Sequence, residues 1–152
     1  MDLRTRISAA LKAAMKDREA NRLGTLRLIN AAIKDRDIAA RTGDTEEGVS
    51  ETELLAILAR MVKQRQESAR AYEEGGRLDL AERERAEIAV IEEYLPRQLT
   101  ADEVDEAIGT AIVETEANSI RDMGRVMAQL KARYAGRMDF AAVGPMVRQR
   151  LS

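Results

Sequence analysis

Apolar residues recur every three or four positions along most of the chain, which is the period of a helix with one buried face. A polar segment with glycine near both ends, Arg41–Gly48, predicts a loop after the second run of this pattern. Pro96 predicts the end of another helix near Leu95, because proline disfavours helical geometry in the residue before it. Up to that point the pattern predicts four helices, built on Leu3–Met15, Leu23–Ile33, Leu54–Tyr72 and Ile88–Leu95.

Several short motifs predict where these helices begin and end. A Ser, Thr or Asp followed three residues later by Glu forms a capping box, which satisfies free amides at a helix start. Ser119 and Asp139 are predicted to cap two later helices, and Gly75 with Gly76 to end the third. Pro145 would lie about six residues into the last helix, where it predicts a kink or a later start. The predicted capping boxes are Ser50 with Glu53, Asp79 with Glu82, and Thr100 with Glu103.

The overall pattern predicts an all-α protein. We expect a four-helix N-terminal domain over residues 1–95 and a small three-helix C-terminal domain over residues 96–152. The composition agrees, since 45% of the residues are hydrophobic but only Phe140 and three tyrosines are aromatic, and tryptophan is absent. A β-sandwich core would be richer in aromatic and β-branched residues.

The residue types exclude several classes of chemistry. The chain has no Cys and no His, which removes Ser/His and Cys/His catalysis and most zinc sites. Adjacent carboxylates such as Glu92 and Glu93 could ligate a hard cation, but carboxylates at helix starts are more often caps and dipole partners. We therefore predict no catalytic residue, no metal ligand and no cofactor.

The same survey bears on location. No apolar run approaches the roughly 20 residues that cross a bilayer, and the first residues lack the apolar stretch of a signal peptide. The amphipathic, Arg-bearing start is similar to a transit peptide, but Asp2 and Asp17 argue against one. We therefore predict a cytoplasmic protein without a membrane partner.

The stretch DMGRVMAQLKARYAGRMD, Asp122–Asp139, is the strongest candidate for a binding surface. At about 100° per residue, one side carries Arg121 and Arg125 beside Gly124 and Ala128, where a phosphate could approach closely. Alternatively, the two small residues admit a neighbouring helix and the arginines are simply solvated. The opposite arc, facing the core, contains Ile120, Met123, Val126, Met127, Leu130 and Tyr134.

Charge is distributed unevenly along the chain. The formal net charge is −2, yet residues 1–41 and 121–152 each carry +5 and residues 42–120 carry −12. Lys131, Arg133 and Arg137, and later Arg148 and Arg150, could extend a positive surface near the C-terminus. Phosphate binding by such groups would depend on salt and be largely blind to sequence.

The chain resembles the GatB/YqeY family over nearly its whole length. This resemblance implies an all-α fold in two parts. The second part is similar to the tail domain of the amidotransferase subunit GatB, and that tail domain contacts tRNA. The family label is carbon-nitrogen ligase with glutamine as amido-N-donor. The blocks that carry the resemblance are YLPRQLT, DMGRVMAQLKARYAGRMD, LGTLRLINAAIKDRDI, VKQRQESARAYEEGGRLDLAERERAEIAVIEEYLP and MVRQRL.

The leading hypothesis is that the chain is an accessory protein that binds tRNA. Its expected protein partners are a tRNA-amidotransferase assembly or other translation-linked proteins. Catalysis by this chain alone is not expected, because it has no Cys nucleophile, no recognisable Ser motif and no phosphate-binding glycine loop. The rival hypothesis is a protein-interaction adaptor that binds no nucleic acid. The predicted nucleic-acid contacts are Arg121, Gly124, Arg125, Lys131, Arg133 and Arg137.

Overall fold

A computed structural model describes residues 2–40 and 49–152, and in these ranges the chain contains helices and no strand. The all-α prediction is confirmed, whereas the loop predicted over 41–48 lies outside the described residues. A 3-10 turn, Ile120–Asp122, precedes α6. The helices are α1 (Leu3–Asp17), α2 (Ala20–Ala40), α3 (Glu51–Glu74), α4 (Leu78–Glu92), α5 (Ala101–Glu114), α6 (Met123–Arg133) and α7 (Phe140–Leu151).

The chain divides into two compact units, Met1–Pro96 and Arg97–Ser152. In the first, one apolar core joins α1 and α2 to the first half of α3 and to the residues around the end of α4. Its central side chains are fully buried because the apolar stripes of all four helices converge there. They include Ile7, Leu26, Ile29, Leu54, Leu58 and Ile91.

The distal halves of α3 and α4 form a two-helix hairpin outside that core cluster. Ala69 and Ala81 are buried along this hairpin, at 4% and 0% exposure, and such small side chains allow close packing of the two helices. Arg65 Nε also donates to Glu87 Oε2 at 2.8 Å across the pair. The distal halves of α3 and α4, which are consecutive in the chain, are therefore held together by their own side-chain contacts.

The second unit has its own core, formed by one face each of α5, α6 and α7. Its most deeply buried residues are 0–1% exposed and come from all three helices. An amphipathic helix of this length is marginal alone, so mutual burial of these faces stabilises the unit. The central residues are Ile108, Val126, Leu130 and Val147.

Most of the predicted helix boundaries are confirmed. The Ser50 side chain accepts a hydrogen bond from Glu53 N, and Thr100 with Glu103 forms a reciprocal capping box. Asp139 Oδ1 accepts from Ala141 N at 3.1 Å at the start of α7. The capping motifs, which act over three residues, are thus largely readable from sequence.

Two predictions about helix starts are wrong. Asp79 does not cap α4, because the helix already begins at Leu78 and Asp79 instead pairs with Arg77 in its first turn. Of the two outcomes predicted for Pro145, the late start is wrong, because α7 already begins at Phe140 and includes Pro145, whereas the kink stays a prediction. Pro145 is exposed, so its ring faces away from the core that holds the helix together.

Ile120 is a third correction, since it is 45% exposed rather than part of the core arc. The angular prediction extended α-helical geometry back to residue 120. The 3-10 turn has about three residues per turn, so residues before Met123 are rotated away from their predicted positions. Val126 and Leu130, within α6 itself, are buried as predicted.

Candidate nucleic-acid interface

The start of α6 is held by Asp122, the last residue of the 3-10 turn. Its carboxylate accepts hydrogen bonds from Asn118 N at 3.0 Å and from Ser119 N at 3.3 Å. These backbone donors, first Asn118, and the Arg125 guanidinium lower the pKa of Asp122 below its ordinary value. The loop before α6 is thereby fixed, and with it the direction in which the helix presents its outer face.

Gly124 lies on that outer face in open space. A Cβ added there would meet no atom within 4 Å, apart from the helix's own backbone and the adjacent residues. Arg121, Arg125 and Ala128 are exposed as well. No helix among the described residues packs against Gly124, so the small residues here do not serve as a helix contact within this chain.

Two of the six predicted contact residues have acidic partners. Arg125 forms an ion pair with Asp122, and Arg133 Nη2 lies 2.7 Å from Glu114 Oε2 on α5. Both arginine side chains remain about half exposed, at 59% and 49%. A nearby carboxylate offsets part of their charge, so they are weaker candidates for phosphate contacts than the sequence suggested.

Arg137 has a largely structural role. Its Nε donates to Arg97 O at 3.0 Å, and Leu99 N donates to Arg137 O at 2.9 Å. Its guanidinium carbon also lies 5.9 Å from the centroid of the Tyr134 ring. Together with a hydrogen bond from the Gln98 side-chain amide to Gly136 O, these contacts fasten the segment before α5 to the turn after α6.

Arg121 and Lys131 differ from the other predicted cations. Both are exposed, and neither makes a hydrogen bond or an ion pair within residues 2–40 and 49–152. On α7, Arg150 is paired with Asp105 at 3.1 Å, while Arg148 is in the same unpartnered state as Arg121. Of the six predicted nucleic-acid contacts, the structure therefore leaves three as the best candidates: Gly124 in open space and the unpartnered Arg121 and Lys131.

The second unit also has a cleft of about 240 Å³ between α5 and the residues that follow α6. Glu103 in its wall is bound to Arg97 through two 2.8 Å hydrogen bonds. Throughout the described ranges, no three acidic side chains come together as a metal site would require. The lining of the cleft is Leu99, Glu103, Glu106, Ala107, Thr110, Tyr134 and Arg137.

Glu103 is the group with the largest resolved change in acidity. The hydrogen bonds from the Arg97 side chain, followed by those from Thr100, lower its pKa from 4.5 to about 2. A carboxyl with a depressed pKa stabilises the fold while it is ionised. That contribution is complete above about pH 4.5 and disappears as the pH falls towards about 2.

Glu103→Gln is therefore expected to lower the melting temperature at neutral pH, with a difference from wild type that shrinks between pH 4.5 and pH 2. Thermal unfolding followed by circular dichroism across this range would measure it. Glu106→Gln is the matched control, because Glu106 lies on the same helix, is exposed and has no ion pair among the described residues. A melting-temperature difference between Glu103→Gln and wild type that stayed constant down to pH 2 would contradict a stabilising role for the ionised Glu103 carboxylate.

No helix in the described ranges is long and apolar enough to span a membrane.

Comparison with known proteins supports the resemblance noted in the sequence. A family model described as "Yqey-like protein" matches residues 4–151. A relative from Pyrenophora tritici-repentis, named "Altered inheritance of mitochondria protein 41, mitochondrial", is 29% identical over 84% of this chain and 71% of its own length. A protein of the same name from Clavispora lusitaniae is 32% identical over 79% of this chain and 69% of its own length. Another, from Meyerozyma guilliermondii, is 39% identical over 56% of this chain and 42% of its own length.

These names correct the predicted cytoplasmic location. All four matched relatives are named as mitochondrial proteins, which points to mitochondria and contradicts the prediction. The argument against a targeting segment depended on two aspartates near the start of the chain. One of them, Asp2, accepts a hydrogen bond from Thr5 N at 2.8 Å and caps α1, so this acidic residue has a role in the fold of the helix.

Proposed function

The chain belongs to the Yqey-like protein family, and on that premise we propose that it binds tRNA through the exposed face of α6, alone or within a tRNA-amidating assembly. The observation that carries this proposal is the open surface at Gly124 on α6, together with two exposed and unpartnered cations, Lys131 on the same helix and Arg121 in the 3-10 turn before it. Guanidinium and ammonium groups free of carboxylates are available to phosphate oxygens. An open glycine lets a sugar-phosphate backbone come close to the helix.

The chemistry of the face also suggests how tRNA would be recognised. α6 contains no aromatic residue, and Tyr134, directly after it, is half-buried against Arg137. Stacking of unpaired bases, which single-strand readout requires, therefore has no platform on this helix. Contacts to the phosphates of a folded RNA are the mode that the face favours, and such contacts read shape more than sequence.

The function proposed is binding rather than catalysis. The chain supplies no His or Cys, and the carboxylate most perturbed in acidity, Glu103, is already occupied by Arg97 and by the start of α5. A chain of this kind would assist an amidating enzyme by holding tRNA. The carbon-nitrogen ligase label would then describe the assembly and not this subunit.

Replacing the two unpartnered cations tests the proposal most directly. Arg121→Glu with Lys131→Glu is expected to weaken binding of total tRNA by about tenfold or more at 50 mM salt, and to lower the dependence of log K on log salt by about 2. A gel-shift titration at two salt concentrations measures both quantities. Arg125→Glu and Arg133→Glu should have smaller effects, because these side chains already have acidic partners.

The matched control makes the same change in net charge elsewhere. Arg70 on α3 and Arg83 on α4 are exposed and make no ion pair within the described residues. Arg70→Glu with Arg83→Glu should leave tRNA binding nearly unchanged. No binding by wild type at low salt, or equal losses in the test and control variants, would refute binding through α6.

The second candidate function, a protein-interaction adaptor, is favoured by a separate observation. Val113, Ile120 and Met146 in the second unit are 75%, 45% and 44% exposed, and a contiguous patch of such apolar side chains would be a contact site for a partner protein. Recovery of the same partner proteins after nuclease treatment, together with no tRNA binding, would favour this function over the first.

A further inference from the structure

The first two helices carry more unpartnered positive charge than the C-terminal unit. By sequence the two ends of the chain were equivalent, each with a net charge of +5. In the structure, Arg121, Lys131 and Arg148 are the unpartnered cations among the described residues of the second unit. On α1, α2 and the turn between them there are six such cations: Lys12, Lys16, Arg18, Arg27, Lys34 and Arg36.

The carboxylates of this region do not neutralise that charge. Asp2 caps α1, Asp37 is bound to Arg4, and Glu19 lies 3.9 Å from Arg22. Asp17 and Asp35 are the carboxylates of α1 and α2 that remain without an ion pair in the described residues. Six cations against two carboxylates leave this surface positive, and a polyanion is the complementary partner.

Two of the cations share one exposed arc of α2. At about 100° per residue, Arg27 and Lys34 are within about 20° of each other around the helix and about 10 Å apart along it. The buried side of the helix points the other way, with Leu26, Ile29 and Ile33 at 0%, 0% and 4% exposure. Arg27 and Lys34 therefore project on the same side of α2, about 10 Å apart along it, so both can contact phosphates of one RNA strand.

Gly24 lies beside these two cations, about 60° and 80° away around the helix. It is in the interior of α2, where glycine is less favourable than any residue except proline. A Cβ there would meet no atom within 4 Å, so the described part of the chain supplies no steric reason for glycine. Gly109, by contrast, has Arg150 Nη1 3.3 Å from the position of an added Cβ.

We infer that the arc of α2 formed by Gly24, Arg27, Ala31 and Lys34 is a second contact surface for RNA phosphates, separate from the face of α6. The inference rests on the proposed function, because it assigns a further surface to the same ligand. The two cations bind phosphate oxygens, and Gly24 and the exposed Ala31 let the sugar-phosphate backbone approach the helix. Asp35 lies about 80–100° from Arg27 and Lys34, on the far side of the arc.

An anionic membrane is the other polyanionic surface that such a helix could meet. Helices that lie on membranes carry bulky apolar residues along the middle of the inserted face. Here one bulky apolar side chain, that of Ile38 near the end of α2, shares the arc with Gly24 and Ala31, while Leu28 and the charged Asp35 lie at its edge beyond Gly24. The small residues favour close approach of an RNA backbone over insertion into lipid.

Two variants test the α2 surface in the tRNA titration. Arg27→Glu with Lys34→Glu is expected to weaken binding by about tenfold or more at 50 mM salt and to reduce the salt dependence by about 2. Gly24→Ala is expected to raise the melting temperature by about 2 °C, through better helix propensity, while weakening binding by about threefold or more. Higher stability with weaker binding separates a contact surface from a structural role, and the variant with Arg70→Glu and Arg83→Glu again serves as control.

Each result distinguishes this inference from the proposed function. Unchanged binding by the α2 variants, with loss in the Arg121→Glu and Lys131→Glu variant, would overturn the inference alone. The reverse pattern would support the α2 surface and overturn binding through α6. No binding by wild type overturns both, and α2-dependent binding to vesicles of phosphatidylglycerol without tRNA binding would identify a lipid surface instead.

Discussion

Leu26→Ala is expected to lower the free energy of unfolding by about 2–5 kcal/mol, whereas Leu28→Ala is expected to cost less than about 1 kcal/mol. The two leucines are two residues apart on α2 and make the same chemical change when truncated. Leu26 is completely buried in the N-terminal core, while Leu28 is 47% exposed. Truncation at Leu26 removes buried methyl groups and leaves a cavity, and truncation at Leu28 leaves none.

Urea denaturation of the two variants, followed by far-ultraviolet circular dichroism, measures this difference. The comparison also tests the orientation of α2, on which the proposed phosphate contacts at Arg27 and Lys34 depend. Similar losses for the two variants would contradict the selective burial of Leu26, and a larger loss for Leu28→Ala would mean that the opposite face of α2 is buried. The arc around Gly24 would then not be available to RNA.

Asp37→Ala is expected to destabilise the chain by about 2–3 kcal/mol. The Asp37 carboxylate accepts hydrogen bonds from Arg4 Nη1 and Nη2 at 3.0 and 2.5 Å and from Val49 N at 2.9 Å. It thereby connects α1, the end of α2 and Val49, the residue before the Ser50 cap of α3. Arg4 is 40% exposed, so solvent weakens the ion pair itself, and much of the cost comes from the buried Val49 amide left without its acceptor.

Asp35→Ala is the matched control for this change. Asp35 lies two residues earlier on α2, is exposed and makes no ion pair among the described residues, so its loss should alter stability by about 0.5 kcal/mol or less. Asp37→Asn should fall between the two, because the amide oxygen still accepts one hydrogen bond. Denaturant midpoints for the three variants provide the measurement, and equal midpoints for Asp35→Ala and Asp37→Ala would exclude this role of Asp37.

The helices were predictable because their signals are local. Apolar spacing, the caps at Ser50, Thr100 and Asp139 and the stop at Gly75 act over one or two turns, and the structure confirms them. The prediction failed at Ile120, where a 3-10 turn changes the rotation per residue, and at Asp79, where Arg77 is the partner. The failure at Ile120 comes from a rotation per residue that a fixed 100° period does not represent. The failure at Asp79 comes from α4 beginning at Leu78, before the residue that was predicted to cap it.

The candidate surfaces were predictable only in part. Sequence correctly indicated that Gly124 and Arg125 are exposed, because that follows from which residues of α6 are apolar. Arg121 is exposed as well, although it lies in the 3-10 turn before α6. Nothing in the sequence indicated that Arg137 fastens the start of α5 to the turn after α6, since Arg97 O is 40 residues away in the chain. The sequence also did not single out Gly24 as a candidate contact, because only the packing around a glycine reveals whether the fold requires it.

By itself, the sequence determined the secondary structure, the all-α class and the absence of thiol and imidazole chemistry. These follow from residue type and from spacings within a few turns. The tertiary structure decided which cations remain available to a ligand. Arg133 and Arg150 are paired with Glu114 and Asp105 on α5, whereas Arg27 and Lys34 meet no carboxylate in the described chain. An ion pair depends on distances of a few ångströms between residues far apart in the chain, and only folding sets those distances.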